Sequence, residues 1–303
     1  VSAWTMHHGD CLEWLTTLPD KSVDAVVSDP PYPEISRDYG RLTEGEWHTL
    51  MRGVVEQSRR VLKPHGSAVF ILQPNSERVG RMRPWLWEFM AWTAREWNMV
   101  QDAWWWNTSA PPTVHVHRKN GLMRPSVKAC VWLGEPDCFR NQDAVLWTET
   151  DANVAARAEG RMGLRTMPSG LGMRAGRCAS VAAERGGVTP YNILPIANAN
   201  SSSSGGSEGH GAATPYPLCH WWVRYLSKPG DLILDPFAGS GTTGVAALRL
   251  GRRFAGAEQD ATHYATACER LTAEAAGQTL AQARAGQLSL LADPSDAAER
   301  MAP

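Results

Sequence analysis

The sequence holds no Cys-x-x-Cys pair; its six cysteines stand apart at positions 11, 130, 138, 178, 219 and 268. Such spacing suggests neither a zinc site nor a disulfide framework. No run of 18 or more apolar residues occurs, so a transmembrane helix is not expected. The stretch 1–14 carries His7, His8, Asp10 and Glu13 and lacks the basic start and apolar core of a signal peptide. A reduced, cytoplasmic setting without a membrane partner is therefore expected. Excess positive charge is missing too: 30 Lys and Arg face 31 Asp and Glu, a net charge of −1. A protein that coats nucleic acid without selectivity is usually far more basic, although local charge still permits a nucleic-acid substrate. Phe (5) and Tyr (6) are scarce, whereas Trp reaches 14; most of these are expected to be core or packing residues, and some could stack on bases. What remains is ordinary for a globular chain of 303 residues, 43% hydrophobic and 20% charged, which excludes bulk disorder and fibrous classes.

Three parts follow from the pattern. In residues 1–109, Val23 to Ser28 reads as a buried strand ending at Asp-Pro-Pro. Helical spacing runs from Glu46 to Leu62 and stops at Lys63-Pro64-His65-Gly66, and Ser67 to Leu72 is a second buried strand. A Trp-rich helix from Arg83 to Asn98 and a strand from Val100 to Asn107 complete this part. In residues 110–213, Val127 to Leu133 reads as a strand, 152–190 shows no clear period, and Asn198 to Gly211, with four consecutive serines, reads as a flexible loop. In residues 214–303, helices at Leu218–Leu226, at Ala246–Leu250 and its preceding turn, and at His263–Ala276 alternate with strands Leu232–Asp235 and Arg253–Glu258; a peripheral helix or tail follows. This alternation predicts an α/β fold with a mostly parallel sheet covered on both faces.

Asp235-Pro236-Phe237-Ala238-Gly239-Ser240-Gly241-Thr242-Thr243-Gly244 joins a strand to a helix. Its glycines satisfy G-x-G-x-x-G, and the acid Glu258 ends the next strand, which fits a dinucleotide site. No Lys precedes Thr242 or Thr243, so it is not a P-loop. Asp235 beside the turn is awkward for a pyrophosphate but suits a cationic ligand such as S-adenosylmethionine. Glu258 would then accept hydrogen bonds from ribose hydroxyls, and Phe237 would close over the ligand or simply pack.

Ser28-Asp29-Pro30-Pro31-Tyr32 follows the first predicted strand, and ligands of such sheets gather at the carboxyl ends of strands. An exocyclic amine conjugated with a base ring is a poor nucleophile. The Asp29 carboxylate and the Pro30 carbonyl can each accept one of its N–H groups, drawing the lone pair out of conjugation. Pro30 and Pro31 stiffen the loop. Tyr32 offers a ring face to a flipped base.

Together the two loops resemble the amino-methylating DNA methyltransferases that act on adenine N6 or cytosine N4. The order, catalytic loop first and glycine loop last, resembles the circularly permuted β class. Further likeness lies in His8 to Leu12, Leu18 to Asp24, Arg60 to Gly66, Trp106-Asn107, His210, Pro215 to Leu218, Pro229 to Asp231, and Glu258 with Asp260. The resemblance implies a Rossmann-like methyltransferase fold with S-adenosylmethionine as cofactor. The cofactor site implied is Asp10, Cys11, Asp235, Phe237, Gly239, Gly241, Thr242, Thr243 and Glu258. The catalytic set implied is Asp29, Pro30, Pro31 and Tyr32. It implies double-stranded DNA as substrate, with adenine N6 preferred over cytosine N4 because Asp29 stands where the N4 subgroup more often has Ser. It admits a homodimer and a separately encoded restriction enzyme as partners, and it makes residues 110–213 the target-recognition region. Between 156 and 187 of that region, Arg157, Arg161, Arg165, Arg174, Arg177 and Arg185 face only Glu159 and Glu184.

Competing readings have less support. His115 and His117 lack a partner at metal-ligand spacing, so no metal is expected. No Pro-Cys dipeptide supports attack through a Cys nucleophile. A nicotinamide oxidoreductase leaves Asp29 to Tyr32 unexplained. Methylation of an RNA or protein amine, or a noncatalytic DNA-binding regulator, fits the intact loops less well.

Overall fold

The computed structural model describes residues 2–36, 40–110, 119–148, 165–166, 172–173, 184–198 and 214–285. The chain divides into two compact units, Val1–Arg140 with Asn192–Pro303, and Asn141–Tyr191. His115, His117, His210, the Ser/Gly stretch and most of the arginine-rich stretch lie outside the described residues.

The first unit is built on a nine-stranded sheet. Its strands are β1 (Trp4–His8), β2 (Val23–Ser28), β3 (Leu62–Leu72), β6 (Met99–Gln101), β7 (Trp104–Trp106), β8 (Val127–Gly134), β11 (Ile193–Pro195), β12 (Leu232–Asp235) and β13 (Arg253–Glu258). A small hairpin pairs β4 (Ser76–Arg78) with β5 (Arg81–Met82). The order β1-β13-β12-β2-β3 is parallel throughout. β8 then runs antiparallel to β3, β6 and β7 pair antiparallel with β8, and β11 lies parallel to β7. The sheet is mostly parallel, as expected, with an antiparallel turn-back at β8. β8 and β11 belong to this sheet although both fall within 110–213.

The helices of this unit are α1 (Cys11–Thr17), α2 (Glu44–Val61), α3 (Trp85–Glu96), α4 (Tyr216–Leu226), α5 (Thr242–Arg249), α6 (Ala261–Ala275) and α7 (Leu280–Arg284). Thr43 starts α2 with a capping box: its hydroxyl accepts from Glu46 N while the Glu46 carboxylate accepts from Thr43 N. The buried face of α2, including Trp47, Met51, Val54 and Val55, packs into one core with Leu15 of α1, Phe70 of β3 and Phe89 of α3. Trp47, Trp85, Trp105, Trp132 and Trp222 are fully buried, so much of the tryptophan excess is core.

Two expectations change, and two elements were not predicted. The single strand at 100–107 is two short ones, β6 and β7, broken at Asp102-Ala103, where Cys130 N donates to the Ala103 carbonyl (2.9 Å) and keeps both on one edge of β8. Lys63 to Gly66 ends the helix but continues as the first half of β3. Neither β1 nor α1 is marked by periodicity: β1 is an edge strand whose parallel partner β13 lies at the other end of the chain.

In the second unit, β9 (Arg165–Thr166) and β10 (Gly172–Met173) form a hairpin, and a short 3-10 turn spans Asp143–Val145. Trp147 bridges Val188, and Arg185 holds Gln142 Oε1 and Asp143 Oδ1, each at 2.7 Å. Among the described residues, no helix is long and apolar enough to cross a membrane.

Candidate functional site

The carboxyl ends of β2, β12 and β13 converge because these strands lie side by side and point the same way. Two adjoining cavities open there. The larger, about 470 Å³, is lined by Asp10, Cys11, Asp29 to Tyr32, Trp105, Asn107, Lys128, Phe237, Gly239 and Glu258, among others. That volume lies within the range of about 300–1,000 Å³ common for ligand pockets. The smaller, about 60 Å³, shares Asp29, Phe237 and Gly239 and adds Ser28, Thr214, Asp235, Thr242 and Thr243. The sequence-predicted residues thus gather in one place but on two levels. Asp235, Thr242 and Thr243 belong to the inner floor, and Gly241 lines neither cavity.

Gly241 serves the turn itself. It begins α5 in the left-handed region at φ +81°, where a side chain would be strained and would crowd Ala267. Gly244 lets α5 lie close on β13 and α6: a Cβ there would meet Phe254 and Leu271 at 2.7 Å. Behind the loop, buried Arg270 of α6 donates to the Ser240 carbonyl (2.6 Å) and hydroxyl (3.0 Å).

Glu258 closes β13 and is tied to the glycine loop: Oε2 accepts from Gly239 N and Oε1 from Asp260 N, both at 2.8 Å. Each oxygen keeps a second lone pair for a ligand. Asp10 caps α1, its Oδ1 accepting from Leu12 N (2.8 Å) and Glu13 N (2.9 Å). Burial, reinforced by the Asp10 charge, pushes the Cys11 thiol up to about 12, so it lines the cavity as an inert group.

Asp235 is 3% exposed. Its Oδ1 accepts from Ser28 Oγ (2.5 Å) and Phe237 N (3.1 Å). Burial outweighs these bonds and raises its carboxyl to about 6. The sign follows by linkage. Below the ordinary value of 3.8, the folded and unfolded chains both hold this proton. Between that value and about 6 only the unfolded chain gives the proton up, so the stability held on the acid side is lost as pH rises to the folded value. From pH 5 to pH 7.5 the remaining loss is roughly 1–1.5 kcal/mol, and Asp235→Asn should abolish it. Urea unfolding of both proteins at pH 5 and pH 7.5 measures this; parallel pH profiles would contradict it.

The Asp29 loop is held from three sides. Tyr32 Oη donates to Asp29 Oδ1 (2.5 Å) and Thr214 Oγ1 donates to Asp29 Oδ2. Trp47 Nε1 donates to the Pro31 carbonyl (2.6 Å). No donor among the described residues reaches the carbonyl of Pro30. Asp29 and Pro30 thus line a space beside an acid-flanked glycine turn.

A model of the N6/N4 family, described as DNA methylase, matches residues 23–269. The chain belongs to this DNA methylase family. The methylase is 26% identical over 304 residues to the type II methyltransferase M.PvuII of Proteus hauseri, covering 89% of this chain and 84% of that protein. It is also 26% identical over 273 residues to the DNA adenine methyltransferase YhdJ of Escherichia coli strain K12, covering 89% and 83%. Its fold is similar to the solved cytosine-N4-specific PvuII DNA methyltransferase, with a TM-score of 0.65 at 22% identity over 88% of this chain and 86% of that one. A Thermus thermophilus protein, proposed to be a DNA modification methylase and solved with S-adenosylmethionine, matches at a TM-score of 0.56 and 21% identity over 90% and 97%.

Among the residues of the methylase's cavities that sequence reasoning missed are Lys128, Trp105 and Thr214. Lys128 is the lone charge in an apolar strand, Val127 to Leu133, a signal that was present. Trp105 reads in the sequence only as part of a Trp run. Thr214 carries no signal; it directly follows a segment without pattern. The Tyr32 hydroxyl also matters more than its ring face suggests, since it sits between Asp29 and Lys128 Nζ, which donates to it at 2.9 Å.

Proposed function

We propose that this methylase transfers a methyl group from S-adenosylmethionine to an exocyclic amine of a base flipped out of double-stranded DNA, with adenine N6 preferred. The observation that carries this reading is the meeting of the Asp29–Pro30 acceptor pair with the Glu258-tied glycine loop at one cavity. When bound, the cofactor supplies a methyl carbon attached to a sulfonium, open to attack by a nitrogen lone pair. Glu258 and Asp10 would accept from its hydroxyls and polar edge, while Asp235 and Phe237 would line its charged end. Asp29 and the Pro30 carbonyl each accept one N–H of the amine, turning its lone pair toward the methyl. Thr214 and Tyr32 fix the plane of the Asp29 carboxylate.

Adenine is favoured by Asp29 itself, the residue on which the sequence-level preference rests. The cytosine-N4 reading is the alternative, supported by the specificity named for the PvuII enzyme. Residues 110–213 remain our proposal for target recognition, on the strength of their arginine balance. One experiment tests all of this: expression in a methylation-deficient bacterium, followed by single-molecule sequencing for modified bases. N6-methyladenine at a defined context is expected. N4-methylcytosine would keep the chemistry and change the base, and an unmodified genome would overturn the reading.

Cofactor binding has its own test. Glu258→Ala should weaken S-adenosylmethionine binding by ~1–3 kcal/mol, the range for hydrogen bonds to a charged acceptor. Calorimetry finding unchanged affinity would remove Glu258 from the site.

A further inference from the structure

Lys128 is the one side chain of β8 whose chemistry the mechanism above leaves unused. Its side chain is only 16% exposed, and it lines the larger cavity. Its Nζ lies 4.9 Å from the ring centre of Trp105, its cross-strand neighbour, and 5.2 Å from that of Tyr32. It donates to the Tyr32 hydroxyl (2.9 Å) and stands 3.8 Å from Asp29 Oδ2, beyond hydrogen-bond reach. An ammonium carries three N–H groups. Among the described residues only the Tyr32 hydroxyl accepts a hydrogen bond from it, while Asp29 pairs with its charge and the two ring faces flank it. An enclosed cation with N–H groups to spare, beside a carboxylate, suits a ligand that offers the complementary acceptor and donor.

Adenine and cytosine share such an edge. Each carries an amine on a carbon whose neighbouring ring nitrogen bears a bare lone pair. In guanine and thymine that ring position is an N–H instead. We infer that Lys128 reads this edge: it donates to the ring nitrogen while Asp29 accepts from the amine beside it, so that one cation and one carboxylate recognise N–C–NH2 as a unit. This rests on the amine-methylation reading above.

The pairing also addresses a chemical hazard. The ring nitrogen's lone pair lies in the ring plane, outside the π system, and is a better nucleophile than the conjugated amine. In the duplex it is covered by the partner base, and flipping uncovers it. In the intended transfer, the amine nitrogen forms a bond to the methyl carbon, the carbon–sulfur bond breaks with its electron pair left on sulfur, and one amine proton passes to the Asp29 carboxylate and from there to water. In the misdirected transfer, the ring nitrogen forms the bond, the same carbon–sulfur bond breaks, no proton leaves, and the base is left cationic. A hydrogen bond from Lys128 occupies that lone pair and suppresses the second route.

The test uses duplex DNA carrying the mapped site, with the target base either natural or replaced by its ring-deaza analogue (1-deazaadenine or 3-deazacytosine), which keeps the amine and has C–H for the ring nitrogen. In single turnovers the wild type should methylate the analogue about ten- to a hundred-fold more slowly than the natural base, the worth of one charged hydrogen bond. Lys128→Met should be slower on the natural base, and its natural-to-analogue rate ratio should be about ten- to a hundred-fold smaller than that of the wild type. The analogue's intrinsic reactivity is common to both enzymes and cancels when their ratios are compared. Mass spectrometry of the nucleosides should find ring-methylated product with Lys128→Met but not with the wild type, and Lys128→Arg should restore discrimination. Thermal unfolding checks that the variants are folded. Equal analogue ratios in wild type and Lys128→Met, or no ring product from the variant, would overturn the inference and leave the functional reading standing. A wild type that leaves the amine of natural DNA unmethylated would take down that reading and this inference with it.

Discussion

Asp29→Ala should lower the rate of methyl transfer by ~10³-fold or more while leaving the fold and cofactor binding nearly unchanged. Two losses coincide in this variant. The amine loses the acceptor that orients its lone pair, and the charge developing on the methylated nitrogen loses its nearest counter-charge. The Asp29 carboxylate accepts a hydrogen bond from the amine without offering a competing proton, and it brings the negative charge that the Pro30 carbonyl lacks. Asp29→Asn tests this separately, because its amide can turn a donor toward the amine; it should be nearly as damaged as the Ala variant. Thr214→Val and Tyr32→Phe should fall between wild type and Asp29→Ala, since each removes one of the hydroxyls that hold the carboxylate. The measurement is single-turnover transfer of labelled methyl to DNA bearing the mapped site. Near wild-type rates with Asp29→Ala would overturn the mechanism.

Trp47→Ala should cost about 3–5 kcal/mol of stability, the range for emptying a large buried aromatic site. Trp47 is 0% exposed and meets Trp85 and Phe89 edge-on at ring-centre distances of 4.5 and 5.1 Å. It also links core to chemistry through its hydrogen bond to the Pro31 carbonyl. Trp47→Phe separates these contributions: it keeps a ring in the core but leaves that carbonyl without its donor, at a cost of about 1–3 kcal/mol. Urea unfolding gives both numbers. The Phe variant should also turn over more slowly than its stability loss explains, because the Asp29 loop is no longer anchored to α2. Losses under about 1 kcal/mol for Trp47→Ala would mean that the neighbouring helices collapse into the vacancy.

The elements legible in the sequence were those with abrupt ends. β2, β12 and β13 match their predicted bounds because apolar or β-branched runs stop at Asp-Pro, Asp-Pro and Glu-Gln-Asp. The two functional loops were legible for a related reason: proline and glycine restrict the backbone locally, so their geometry is written in consecutive residues. β1 was not legible, because Trp4–His8 mixes polar and apolar residues without a clean period, and its partner is far away in sequence. Lys128 stood out as a lone charge in an apolar strand, but neither its place beside Asp29 nor that of Thr214 could be read, for a topological reason. β8 comes beside Asp29 only because it turns back antiparallel on β3, and Thr214 reaches Asp29 across 185 residues. Local pattern identifies the tools of such a site, whereas the sheet order decides what stands next to them.

The strand order has a further consequence, for the way this chain is made. β12 and β13 lie between β1 and β2, and Leu232 N reaches Asp24 Oδ2 across 208 residues. A chain leaving the ribosome thus presents β2 and β3 early, with β8 to extend them, while β1 waits with no neighbour and the sheet holds a gap two strands wide. The segment that carries the glycine loop fills that gap last. Long-range parallel pairing of this kind is slow to form and exposes unpaired edges while it waits. The Asp29 loop is therefore synthesised long before there is a pocket for a methyl donor beside it, and the nascent chain stays inactive until β13 takes its place between β1 and β12.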